Sequence, residues 1–171
     1  MKYIIILMFL STLSVASIKE VSSFEADFTQ SITDDKNKTL VYSGHIIALK
    51  PQKAFWNYLK PVKKTIYINN SRVTIIEPEI EQVIVRHISS DIDIFKMIKN
   101  AKEVKKDIYL ATYKDVKFNI TIENKLIKSI SYKDEFDNKI KILFTNQIQN
   151  HQIDKSIFLP TIPLDYDIIR D

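Results

Sequence analysis

The chain has no cysteine in 171 residues. That excludes disulfides, thiol nucleophiles and thiolate-held metals, and with no cysteine behind the leader the chain cannot itself be lipid-modified there. It has one glycine, Gly44, so neither a GxSxG nucleophile elbow nor a phosphate-cradling glycine loop can be built. Charge of one sign is also lacking. The 25 basic and 21 acidic side chains give a net +4 and are interleaved, as in Lys102-Glu-Val-Lys-Lys-Asp107. That reads as a solvated surface with no nucleic-acid partner, although a mild positive field would help at anionic lipid surfaces. The three histidines, His45, His87 and His151, form no HxH or HxxxH pair and read as unrelated, so no metal is expected. Asp134, Glu135 and Asp137 cluster in a turn, where solvated charge is the default. No nucleophile, acid pair or cofactor motif is nominated, and the chain is expected not to be an enzyme.

What is present begins with the leader. Lys2 supplies a positive start, Tyr3–Leu10 an apolar run too short to span a bilayer, and Ser14-Val15-Ala16 the small residues of a cleavage site. Residues 1–16 therefore read as a signal peptide. The alternative is a permanent anchor, against which stand the charged residues beginning at Lys19 and Glu20. Residues 17–171 are expected to form a single domain, large enough to bury most of its apolar surface.

With glycine scarce, turns fall to Asn and Asp, which tolerate left-handed backbone angles. Such turns recur at Asp34–Asn37, Asn69-Asn70, Glu123–Lys125, Asp137-Asn138 and Asn150-His151. Between them lie short runs rich in β-branched and aromatic residues: 40–49, 54–59, 65–68, 72–76, 81–86, 108–113, 116–122, 126–132 and 139–144. These read as strands, and polar residues at every second position make Phe24–Ile32 another. The close, regular spacing predicts a mainly β protein in which an antiparallel meander curls into a barrel. Ser17–Ser23 is left for a short N-terminal helix. Asp91–Glu103 is the one convincing internal helix, with Ser90 or Asp91 as cap and Ile94, Phe95 and Ile98 on one apolar face. That face fits over the open mouth of the sheet. The two prolines of Phe158-Leu-Pro160-Thr-Ile-Pro163 preclude an interior strand, so the tail reads as a short edge strand followed by an extended wrap.

In Gly44–Lys50, Ile46, Ala48 and Lys50 share one face, and His45, Ile47 and Leu49 the other. Both faces are largely apolar, so the strand is expected to be covered on each side. Lys50 is then either a strand-end lysine in water or one that snorkels to an opening. Phe55, Trp56 and Tyr58 read as core, or as lining if the curled sheet encloses a cavity.

Several segments in order resemble the LolA family. They are Val21-Ser-Ser-Phe-Glu-Ala-Asp-Phe-Thr-Gln30, Gly44 through Lys50-Pro51, Trp56 followed by Pro61, Pro78 with Gln82-Val83, and Phe158 with Pro160. The resemblance implies an incomplete, unclosed antiparallel β-barrel with a helical lid over an apolar cavity. It implies a periplasmic, monomeric carrier of the acyl chains of lipoproteins, receiving cargo from an inner-membrane ABC transporter and passing it to an outer-membrane acceptor. On this reading the lipid- and lid-binding residues are Phe28, Ile46, Ala48, Lys50, Phe55, Trp56, Tyr58, Ile94, Phe95 and Ile98. Two departures stand out. Lys50 occupies the position of a family arginine that ties lid to barrel, and lysine lacks the planar fork. Ala54 stands where the family has phenylalanine, with Phe55 adjacent. The competing readings are a sensor or adaptor domain on a similar half-barrel, and an exported enzyme with a scattered site.

Overall fold

A computed structural model describes residues 20–87 and 94–170. Two β meanders share one sheet. The first is β1 (Ser23–Thr33), β2 (Thr39–Leu49), β3 (Lys53–Lys60), β4 (Lys64–Asn69), β5 (Arg72–Glu77) and β6 (Gln82–His87). After the helix α1 (Ile94–Asn100) comes the second: β7 (Lys102–Lys105), β8 (Ile108–Tyr113), β9 (Val116–Glu123), β10 (Leu126–Lys133) and β11 (Lys139–Gln149). Antiparallel pairing of β1 with β11 joins them. A final strand, β12 (Asp167–Arg170), pairs in parallel with β6. The order is β12-β6-β5-β4-β3-β2-β1-β11-β10-β9-β8-β7, so the sheet ends on two different strands and does not close.

The turns are made as the scarcity of glycine requires. Asn37, Asn70, Asn124, Asp137 and Asn150 all take positive φ, between 51° and 62°. Two hairpins use the same device. In β1–β2 the Asp34 carboxylate accepts from the backbone N–H of Lys36 and Lys38 at 3.0 and 2.8 Å. In β10–β11 Asp134 accepts from Phe136 and Asn138 at 2.9 Å each. Gly44 has a different task. A Cβ there would stand 2.1 Å from the Asn57 carbonyl oxygen and 2.8 Å from the Phe28 ring. Only a bare backbone lets Phe28 lie across β2.

The larger core fills the concave face of β1, β2 and β8–β11 and includes Phe24, Ala26, Phe28, Ile46, Ile120, Ile130, Ile142 and Phe144. A smaller one lies on the opposite face of β5 and β6, where Ile76, Val83 and Val85 pack with Tyr67, Ile162 and Tyr166. The C-terminal segment covers that outer face, with a 3-10 turn at Lys155–Phe158 against β3 and β4.

Three expectations are corrected. The helix expected over 91–103 stops at Asn100, and Lys102 and Glu103 belong to β7. Its first residues, 91–93, lie outside those described. The Ala101 N–H closes the helix on the Ile98 carbonyl at 3.2 Å, and the chain then pairs with β8, Glu103 opposite Tyr109. For the N-terminal helix expected over 17–23, residues 17–19 lie outside the described residues. Glu20 is in a 3-10 turn, but Val21 and Ser22 are irregular and Ser23 opens β1, drawn in by pairing with Leu49. In the tail, wrap and edge strand come in reverse order. Phe158 ends the 3-10 turn, fully buried, and the edge strand is Asp167–Arg170, beyond both prolines.

Candidate functional site

Register aligns one row of apolar residues across the concave face. Ile46 of β2 pairs with Trp56, Trp56 with Ile66, Ile66 with Ile75, and Ile75 with Ile84. Ile46 is 1 % exposed, whereas Trp56, Ile66, Ile75 and Ile84 are all half-buried. Helix α1 lies over the buried end of this row. Phe95 and Ile98, each 3 % exposed, face Val21, Phe24, Ile46, Ala48, Ile130 and Phe144. The space left there is about 20 Å³. Beside it, under Phe95 and between Ala48, Ala54, Trp56 and Ile68, a partly open cavity of about 160 Å³ remains. A cavity of roughly 150 Å³ holds one benzene ring, so a long acyl chain fits beneath α1 only if the helix moves.

Lys50 stands at the edge of the lid. Its backbone N–H donates to the Ser22 carbonyl at 2.9 Å, and its Nζ lies 5.6 Å from the centroid of the Phe95 ring. That is within cation–π range. The lysine therefore touches the helix through the ring face, a contact that does not need the planar fork of arginine.

The other expected site residues divide. Ile46, Ala48, Trp56, Phe95 and Ile98 come together at the cavity. Phe28 is 2 % exposed and sits edge-on to Trp56 and Tyr58 at 5.1 and 5.0 Å, in the floor beneath the row. Tyr58 donates from its hydroxyl to Gln30 Oε1 at 2.9 Å, and the Lys64 ammonium lies 4.8 Å from its ring centroid. Burial, with Tyr132 and Tyr42 nearby, pushes its phenol up to about 12. Ile94 opens α1, and its side chain lies outside the described residues. Phe55 is a correction. It pairs with Ile47 and Tyr67 in unbroken register, faces away from the cavity, and meets the Tyr67 ring at 5.2 Å on the outer face. A one-residue offset in a strand reverses the side, and the irregularity of β3 at Leu59 lies beyond Trp56 and does not restore it. Sequence reasoning missed Val21, Phe24, Ile66, Ile68, Ile75 and Ile84. The strands β4–β6 are apolar on both faces, so only their register selects the face.

The histidines are the second correction. Two of the three meet on one carboxylate of the outer face. His45 Nδ1 is 2.8 Å from Asp27 and its Nε2 3.1 Å from Glu25, whose other oxygen is 2.9 Å from His151 Nε2. Asn146 donates to Asp27 at 2.7 Å; that bond, then His45, holds the Asp27 carboxyl below its ordinary range. The network pins β1, β2 and the start of the tail together. Among the described residues no cluster of His, Asp or Glu has the arrangement to hold a metal.

The family model described as "Outer membrane lipoprotein carrier protein LolA" matches residues 19–116. The outer-membrane lipoprotein carrier protein of Campylobacter jejuni is 44 % identical over 149 residues, 87 % of each chain. The chain belongs to the LolA family. The carrier protein of Wolinella succinogenes is 31 % identical over 159 residues, 92 % of each chain. At the level of fold alone, an uncharacterized conserved protein from Thermus thermophilus superposes with a TM-score of 0.55 at 10 % identity, over 90 % of this chain and 93 % of that one. The LolA match covers Gly44, Lys50, Trp56, Phe95 and Ile98, and so takes in both the covered end of the row and the helix above it.

Proposed function

We propose that this chain carries outer-membrane lipoproteins through the periplasm, holding their acyl chains against the Ile46–Ile84 row beneath α1. The observation that carries the reading is the amphipathic α1. It buries Phe95 and Ile98 on a concave face that continues, half-exposed, across β4–β6. Family membership supports the cargo. An acyl chain in water costs about 0.8 kcal/mol per CH₂, so a carrier must cover it. It must also release it, which favours a cover that moves over one that is fused to the core. Lys50 against Phe95 helps hold α1 down in the empty state. Cargo comes from an inner-membrane ABC transporter and leaves to an outer-membrane acceptor, with the protein acting as a monomer and no bond made or broken. Residues 1–16 direct export and are removed after Ala16.

The test is mass spectrometry of the protein purified from its own periplasm. Expected are a mature chain beginning at Ser17 and co-purifying triacylated or diacylated lipoproteins. A protein that never carries an acylated partner, and binds no apolar dye when empty, refutes the carrier reading.

A further inference from the structure

The hairpin turns at the two ends of the sheet differ in chemistry. At one end the turns Asn70-Ser71, Lys106-Asp107 and Asn124-Lys125 are themselves polar, and the exposed aliphatic side chains there, Val104 and Leu126, stand singly on the flanking strands. At the other, two neighbouring hairpins expose large aliphatic side chains. Strand β2 runs four residues, Thr39–Tyr42, past its last pairing with β3, at Ser43 with Lys60. The overhang carries Leu40 and Val41, 49 % and 51 % exposed. Beside its free edge stands the β3–β4 turn, Leu59-Lys60-Pro61-Val62-Lys63, with Leu59 and Val62 at 52 % and 43 %. The Lys64 ammonium lies 5.8 Å from the Tyr42 ring, so the two hairpins touch.

Charge accompanies the apolar tips. Lys36 and Lys38 lie in the first turn, and Lys60, Lys63 and Lys64 bound the second. The acids of these two segments are Asp34 and Asp35, and Asp34 is occupied by two backbone N–H groups of its own turn. Glu79 of the neighbouring turn also accepts from the Lys63 backbone N–H at 3.3 Å, and with it counted the two tips carry five lysines against three carboxylates.

We infer that these two hairpin tips dock the protein on an anionic phospholipid surface. The four aliphatic side chains stand on two hairpin tips, Leu59 next to Lys60 and Val62 next to Lys63, and Leu40 and Val41 just beyond Lys38. They suit a fluid interface, into which each tip dips separately while lysine stems extend along the apolar surface to phosphate. The tips adjoin the Tyr42–Tyr58 end of the concave face, so docking brings that end of the lipid-binding face to the bilayer. The proposal concerns the empty protein and holds or fails independently of its cargo.

The test is co-flotation of the mature protein with vesicles of phosphatidylcholine alone and with ~30 % phosphatidylglycerol, at low and high salt. Binding is expected to the anionic vesicles and to weaken with salt. Lys60→Glu/Lys63→Glu and Leu59→Ser/Val62→Ser should each weaken it about tenfold or more, while melting temperature and dye binding stay near wild type. Lys106→Glu/Lys125→Glu, the same charge change at the opposite end, should bind as wild type. Three results overturn the proposal: no preference for anionic vesicles, tip variants that bind as wild type (as they would if the tips served a protein partner), or an equal loss in the opposite-end control.

Discussion

The two halves of the sheet bury opposite faces. In β1, β2 and β8–β11 the concave residues are the buried ones, as with Ile46, Ile120, Ile130 and Phe144. In β5 and β6 the same face is half-exposed at Ile75 and Ile84, and the outer residues Thr74, Ile76, Val83 and Val85 are buried under the C-terminal segment. One continuous hydrogen-bonded ladder thus belongs to a filled core at one side and to an uncovered apolar surface at the other. The difference teaches where stability and binding reside. The outer cover on β5 and β6 provides the burial that holds those strands, which leaves their concave isoleucines free to meet a ligand.

The comparison can be broken most directly by truncating one residue in each half. Phe144→Ala, in the filled half, should cost about 3–5 kcal/mol of unfolding free energy, read from urea titration. Ile75→Ala, half-exposed, should cost about 1 kcal/mol and yet lower apolar-dye affinity several-fold; a loss as large as that of Phe144→Ala would make β5 part of a solid core. At the boundary, Lys50→Leu should keep the fold and impair lipoprotein transfer while Lys50→Arg preserves it, and normal transfer by the leucine variant would remove Lys50 from the lid. Phenol titration sharpens the same boundary. The Tyr58 value is raised in the folded chain, so its contribution to stability is complete below pH 10 and declines as pH rises toward about 12. Burial raises Tyr67, Tyr109 and Tyr132 as well, so absorbance at alkaline pH should show several tyrosines ionising late, and Tyr58→Phe should remove the latest part of that phase. The smallest effect is expected at Phe55→Leu, on the outer face, where dye binding should not change.

Much of this was legible in the sequence. Alternation located β1, runs of β-branched and aromatic residues located β2–β6 and β8–β11 because such side chains suit a pleated, half-buried surface, and Asn and Asp marked the turns where glycine was missing. Lys50 beside a lid helix was reached through the LolA resemblance, since its own neighbours favour a strand-end lysine in water. Strand β7 was not legible. All four of its residues are exposed and only its ladder with β8 defines it, so Lys102 and Glu103 looked like the end of a helix. The side of Phe55 depended on whether β3 bulges, a backbone detail that composition does not encode. The meeting of His45 and His151 on Glu25 spans more than a hundred residues of chain and follows from the β1–β11 pairing, which no local pattern announces.

The path of the chain between β6 and β7 has a mechanical consequence. Nine strands separate these two in the sheet, so a flattened sheet would hold them about 48 Å apart at a spacing of ~4.8 Å. Residues 88–101, with α1 as a rigid segment of about 10 Å and the rest drawn fully taut, reach only about 38 Å. The connection is the string of a bow. It forbids the sheet from uncurling completely however much the interior swells.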